Sequence, residues 1–182
     1  MQNGVGGVRM GERRSVYFSF YRLEDQTFKS YAEKALGELF TDRTPERDEL
    51  DPEDREAYAR QLIAGGHLDR ETVVVVLVGK STRYRMQIDW DIHTALEPAP
   101  GMRCGLVGVL LPTLEPLSLP TQLMFLPPRL RDNHGSGYAR LYGWETFLER
   151  FSDIIEEAYR NRTANYGLAE NGRTPMRRNG PE

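Results

Sequence analysis

Residues 72–79 read TVVVVLVG. Branched apolar side chains on both faces of an extended segment suit an interior strand of a parallel sheet, covered by helices above and below. Residues 104–112, CGLVGVLLP, have the same character and end at a strand-breaking proline. A helix of roughly Tyr84 to Leu96 fits between them, so residues 72–112 form a βαβ unit, for which a right-handed crossover is expected.

Upstream, SVYFSFY (Ser15 to Tyr21) is β-branched and aromatic, as a first strand should be. Phe28, Tyr31, Ala32, Ala35, Leu36 and Leu39 then recur at helical spacing. DPEDREAYARQLIAGG (51–66) carries helix start and stop signals: Asp51 as N-cap, Pro52 at the first helical position, Asp54 near the positive end and Gly65–Gly66 as terminator. Downstream, GYARLYGW (137–144) supplies a short final strand. Trp144, Phe147, Leu148, Phe151, Ile154, Ile155 and Ala158 then mark one amphipathic last helix. The expected architecture is α/β and three-layered, with a central, mostly parallel sheet of about four to five strands. Such sheets place ligands beyond the carboxyl ends of their strands, here near Tyr21, Lys80, Pro112 and Tyr142.

At 182 residues the chain fits one domain. Its net charge of −3 mixes both signs throughout, which offers no basic face for nucleic acid or an anionic membrane. Cys104 is the only cysteine, so no intrachain disulfide forms and a reducing, cytoplasmic setting is expected. No apolar run approaches the roughly 20 residues that span a bilayer. Residues 1–13 are expected to be a flexible lead, 14–160 the folded domain and 161–182 a mobile tail poor in large apolar groups.

Residues 87–94, QIDWDIHT, lie on the crossover helix. Ile88, Ile92, Ala95 and Leu96 form its buried face, with Trp90 and His93 to one side and Asp91 at the other margin, about 60° from Ile88. From spacing alone the commoner state of such a group is a solvated aspartate beside a tryptophan that caps the core. The alternative is a carboxylate overlooking the crevice, with GKST (79–82) offering hydroxyls and N–H groups nearby. Asp89, the neighbouring acid, points about 160° away, so both cannot face one ligand.

Other chemistries lack their patterns. His67, His93 and His134 show no metal-ligand spacing, so no metal is expected. The serines lie in no GxSxG elbow, and no P-loop or GxGxxG follows a strand. FLPPRLRDNHGSGYARLYGW (125–144) reads either as a long loop held by Asp132 and Asn133 turn chemistry or as a wall of the crevice.

Taken in order, VYFSFY, VVVVLVGKSTRYRMQIDWDI, GLVGVLLP and LPPRLRDNHGSGYARLYGW resemble the TIR-like family of Thoeris-type bacterial anti-phage systems, over about Ser15 to Arg160. The resemblance implies a TIR-type flavodoxin-like fold that cleaves the nicotinamide–ribose bond of NAD. It implies a cyclic ADP-ribose isomer or related ADP-ribose product that signals to a separate effector, a phage-derived trigger, and room for a homo-oligomer. NAD is then the substrate and no further cofactor is needed. By position Asp91, directly after Trp90, takes the place of the family's catalytic glutamate and is one methylene shorter. Ser19, Phe20, Tyr21, Ser81, Trp90 and Asn133 would line the pocket, and His134 would polarise a phosphate or ribose hydroxyl. The alternative is a catalytically weak or inactive TIR-like module acting by nucleotide binding or protein assembly, which the Glu-to-Asp departure favours. A phosphoacceptor receiver on the same layout needs an aspartate ending the third strand and a later lysine, and VLLPT and RLYGW supply neither.

Overall fold

The computed structural model describes residues 13–46, 54–97 and 103–180. Its strands are β1 (Arg14–Ser19), β2 (Phe40–Asp42), β3 (Thr72–Val78), β4 (Gly105–Leu110) and β5 (Arg140–Gly143). All neighbours pair parallel, in the order β2-β1-β3-β4-β5. The helices are α1 (Arg22–Leu36), α2 (Arg55–Ala64), α3 (Met86–Ala95), α4 (Leu119–Leu123), α5 (Pro128–Ser136), α6 (Trp144–Glu149) and α7 (Phe151–Ala164). This is the α/β, three-layer, flavodoxin-like fold expected from the sequence. β2, only three residues long, carries too little pattern to be read in advance.

Strand alternation divides the core in two. Tyr17, Val74, Val76, Val78, Leu106 and Leu110 face one layer with residues of α2, α3 and α5. Val16, Phe18, Val73, Val75, Leu77, Val107 and Val109 face the other with α1, α6 and α7. β3 is buried along its whole length, which accounts for its unbroken apolar run. Chain order runs from β1 outward to β2 and then back across to β3, so the sheet's switch point lies between β1 and β3.

α7 lies close on β4. A Cβ added at Gly105 would stand 2.6 Å from the carbonyl oxygen of Ala158, a backbone atom that cannot turn aside. Gly105→Ala is therefore expected to destabilise the fold by roughly 1–3 kcal/mol, as overpacked cores do, seen as a lower urea midpoint with an unchanged slope.

Several local expectations change. Residues 128–136 are not loop but helix α5, which ends where Gly137 takes φ 87°, a left-handed cap that glycine adopts freely. The single last helix is two, α6 and α7, separated at Arg150. α2 starts after Asp54, whose carboxylate accepts the Glu56 N–H at 2.9 Å; Asp51 and Pro52 lie outside the described residues. α1 begins at Arg22, and of its proposed stripe Ala32 and Leu36 are buried while Tyr31, Ala35 and Leu39 are exposed.

The segment expected to be a mobile tail is also different. Its first residues finish α7, and residues 170–180 cross α5 and α3 as a strap. Two-way bonds join Asn133 to the Glu170 backbone, with Nδ2 donating to O at 2.7 Å and the Glu170 N–H donating to Oδ1 at 2.9 Å. Arg129 donates to Asn171 Oδ1 at 2.9 Å and to the Arg173 carbonyl at 2.9 Å. Met176 gives its N–H to Asp89 Oδ2 and receives the Trp90 indole N–H, each at 2.8 Å. Gly180 N–H reaches the Tyr84 carbonyl, and Asn179 Oδ1 accepts the Met86 N–H. Polar pairing replaces the apolar anchors whose scarcity suggested mobility. Among the described residues no helix is long and apolar enough to cross a membrane.

Candidate active site

β1 alternation sends Tyr17 and Ser19 to the α3 side of the sheet. There they meet Asp91 from the middle of α3 and Tyr58 from α2. Tyr17 OH donates to Asp91 Oδ1 at 2.9 Å, Tyr58 OH to the same oxygen at 2.7 Å, and Ser19 Oγ to Oδ2 at 2.7 Å. Asp91 is 4% exposed. Burial pushes its carboxyl up to about 6, against the three hydroxyls and the more distant Arg22, which favour the charged form. The same burial, with the carboxylate beside them, raises the Tyr17 and Tyr58 phenols well above their ordinary range, so both stay protonated donors.

This carboxylate lies in a cleft of about 540 Å³. The cleft opens beyond the carboxyl end of β1, at the switch point, between the starts of α1 and α3. Tyr17, Phe18, Phe20, Tyr21, Arg22, Leu23, Pro45, Glu46, Tyr58, Arg85, Met86, Gln87, Ile88 and Asn179 complete its lining. It combines a recessed anion, hydroxyl donors, five aromatic rings and two guanidinium groups, a mixture suited to a polar ligand that carries a flat ring.

The residues singled out from the sequence divide into those at this cleft and those apart from it. Asp91, Phe20 and Tyr21 line it, and Ser19 is bonded directly to Asp91. Trp90 packs on Tyr58, ring centroids 5.7 Å apart, and spends its N–H on the strap. Ser81 donates to Glu24 at 2.7 Å, tying the loop after β3 to α1. Asn133 is wholly buried in α5 as the strap's anchor, and His134 is exposed near β5. The placement of Asn133 and His134 follows from α5 being a helix packed against α3 instead of a loop over the crevice. Asp89 points away from Asp91 and pairs with Arg129.

Tyr17 and Tyr58 escaped sequence reading. Tyr17 carried a usable signal, its two-residue offset from Ser19 on a strand. Tyr58 carried none, because only the packing of α2 against α3 brings it to Asp91. Among the described residues, no three His, Cys, Asp or Glu side chains gather as a metal site. Cys104 is buried with its thiol pushed up to about 12 by burial, which leaves no thiolate to act as a nucleophile.

A second buried acid flanks the crevice. Asp25, 1% exposed in the first turn of α1, lies so close to Gly79 that a Cβ there would be 2.5 Å from its Oδ1. Its Oδ2 has no hydrogen-bond partner among the described residues. Burial first, then the Glu24 charge, raises its carboxyl to about 7. A folded-state value above the unfolded one means that the native protein holds the proton more tightly, so Asp25 costs stability as pH rises from about 4 to 7. Asp25→Asn is therefore expected to raise stability at pH 8 by about 1–3 kcal/mol, with a smaller gain at pH 4. Urea midpoints at the two pH values check it, and an equal gain at both would contradict it.

A family model described as Thoeris protein ThsB, TIR-like domain, matches residues 17–116, from β1 through β4 and past the end of that strand. The matched stretch contains Tyr17, Ser19, Tyr58 and Asp91. No curated protein matches the chain.

Proposed function

The chain belongs to the TIR-like domain family of the Thoeris protein ThsB, and from that premise we propose that it cleaves the nicotinamide–ribose bond of NAD. The product is a cyclic ADP-ribose isomer or a related ADP-ribose signal, read by a separate effector after a phage-derived trigger. The single observation that carries this reading is the recessed Asp91 carboxylate, held at the cleft by three hydroxyls.

As nicotinamide departs, the glycosidic bond's electron pair leaves with the ring nitrogen and positive charge develops on the ribose. A fixed carboxylate in a low-dielectric recess stabilises that charge more than the neutral ground-state ribose, so it lowers the barrier. Asp91 works in its ionised form, which is the majority form above about pH 6. Its Oδ2 accepts one hydroxyl and keeps capacity for a ribose hydroxyl. Phe20 and Tyr21 present rings on which a base can stack. The substrate supplies its own leaving group, so no added cofactor enters these steps.

The test incubates the full chain with NAD, with and without phage lysate, and measures free nicotinamide and ADP-ribose products. Triggered wild type should release nicotinamide and Asp91→Asn should not; equal release by both sinks the role of Asp91.

A second reading rests on the hydroxyl cage itself. Both Asp91 oxygens are already engaged, as in a rigid binding site, and a module of that kind would bind a nucleotide or assemble with copies of itself without turnover. Calorimetry with NAD, together with light scattering, separates the two: binding or assembly with no nicotinamide released under any trigger favours the module.

A further inference from the structure

The strap bonds along the helix that carries Asp91, and its residue numbers rise as those of α3 fall. Asn171 Nδ2 donates to the His93 carbonyl at 3.1 Å, Met176 meets Asp89 and Trp90, and Asn179 Oδ1 accepts the Met86 N–H at 2.9 Å. Gly180 N–H then closes on the Tyr84 carbonyl at 2.8 Å. Positions 86, 89, 90 and 93 lie about 100° to 160° around the helix from Asp91. The strap therefore grips α3 on one side while Tyr17, Ser19 and Tyr58 hold Asp91 on the other. At its tip it reaches the cleft, where Asn179 joins the lining.

The start of α3 depends on this contact. The first turn of a helix carries N–H groups without partners inside the helix. A Ser, Thr, Asp or Asn just before the helix usually supplies an acceptor. Here that residue is Arg85, whose side chain has none to offer. The acceptor comes instead from Asn179, 93 residues along the chain. The same turn is a wall of the cleft, since Met86, Gln87 and Ile88 line it beside Asn179. Further along, Met176 bonds to both residues that precede Asp91, receiving the Trp90 indole N–H and giving its own N–H to Asp89. A tilt of α3 at either point moves the carboxylate, and a misplacement of about 1 Å costs on the order of 100-fold in rate.

We infer that the strap sets the position of Asp91 in the cleft, with Asn179 as the positioning residue that fixes the start of α3. Residues 171–180 lie beyond the stretch 17–116 that the family model matches. The inference deepens the NAD reading and rests on it for the rate readout alone, because the placement of Asp91 is measurable without turnover. Asn179 is exposed, and its side chain bonds to α3 through Oδ1, so its loss loosens the helix start without emptying the core.

The test compares full-length wild type with Asn179→Ala, which removes the acceptor, and Asn179→Asp, which restores one suited to the positive end of α3. Carbon-13 NMR of the side-chain carboxyls follows Asp91 directly, and in wild type it should titrate at about 6. The groups that face it, Tyr17, Ser19, Tyr58 and the more distant Arg22, are the same in all three proteins. Asn179→Ala should bring that midpoint down toward the ordinary carboxylate range, because a loosened α3 admits water to the recess. Its kcat for nicotinamide release should fall about tenfold with KM changed less than about threefold. Its urea midpoint should fall by no more than about 0.5 M. Asn179→Asp should recover kcat and hold the Asp91 midpoint at least as high as in wild type. An unchanged Asp91 titration in Asn179→Ala overturns the inference, whatever happens to stability, and so does an Asn179→Asp protein as impaired as Asn179→Ala. A midpoint that moves and recovers as expected, with no nicotinamide release by wild type under any trigger, removes the NAD reading and leaves the positioning role standing. Release that depends on Asp91 but is unaltered by Asn179→Ala does the reverse.

Discussion

Asp91→Asn should lower nicotinamide release by on the order of 100- to 1000-fold, the usual scale for removing one preorganised electrostatic group, without lowering the melting temperature. The amide keeps an acceptor oxygen for Tyr17 and Tyr58, so only the Ser19 bond must rearrange. What disappears is a buried negative charge. Because burial lifts the Asp91 carboxyl to about 6, the native protein holds that proton more tightly than the unfolded chain does. Stability is therefore lost as pH rises between about 4 and 6, and the loss persists above that window. Removing the ionisable group relieves it, and Asp91→Asn should be about 1–3 kcal/mol more stable than wild type at pH 7.5. An inactive variant that gains stability identifies a group kept for chemistry at a cost to the fold. An inactive variant that melts early would instead mean that Asp91 holds the core together. Wild-type activity should itself rise through about pH 6 and level off, with no such rise in any residual activity of Asp91→Asn.

Arg129→Ala should cost about 3–5 kcal/mol, the scale for stripping one partner from a buried ion pair. Arg129 is fully buried and Asp89 is 2% exposed. Their contact is two-pronged, Nε to Oδ1 at 3.0 Å and Nη2 to Oδ2 at 3.4 Å. The variant would leave Asp89 charged and buried with the Met176 N–H as its remaining donor in that network, and would leave the carbonyls of Asn171 and Arg173 without the arginine. Deleting residues 171–182 attacks the same network from the other side and should be of similar size, because the Arg129 and Asp89 groups facing the strap lose their partners. Urea unfolding of both variants checks the magnitudes, and a loss below about 1 kcal/mol in both would show that the network is not a unit. A buried pair replaced by apolar residues is often neutral elsewhere. Here the double substitution Arg129→Met with Asp89→Leu should recover only part of the loss, since the strap's backbone bonds go with it.

The sequence determined much of this protein through local pattern. Unbroken apolar runs at Thr72–Gly79 and Cys104–Pro112 fixed two interior strands, because a strand covered on both faces leaves no room for polar alternation. Gly65–Gly66 closed α2 as read. The ordered motifs pointed to the family that the match over residues 17–116 establishes. Asp91 itself was legible as a candidate, but its state was not. Helical spacing put it at a margin, where charges are normally solvated. Its burial comes from Tyr17 and Tyr58, 74 and 33 residues away. Trp90 beside it is closed over by Met176, 86 residues away. α5 and the strap failed to announce themselves for a related reason. Their order rests on polar groups satisfied across long separations, and composition registers only that the segment lacks apolar weight. Periodicity reports which face of an element seeks burial. Only tertiary packing decides which other elements arrive to cover the remaining faces, and that decision turned an aspartate at the edge of a helix into a recessed carboxylate with three donors.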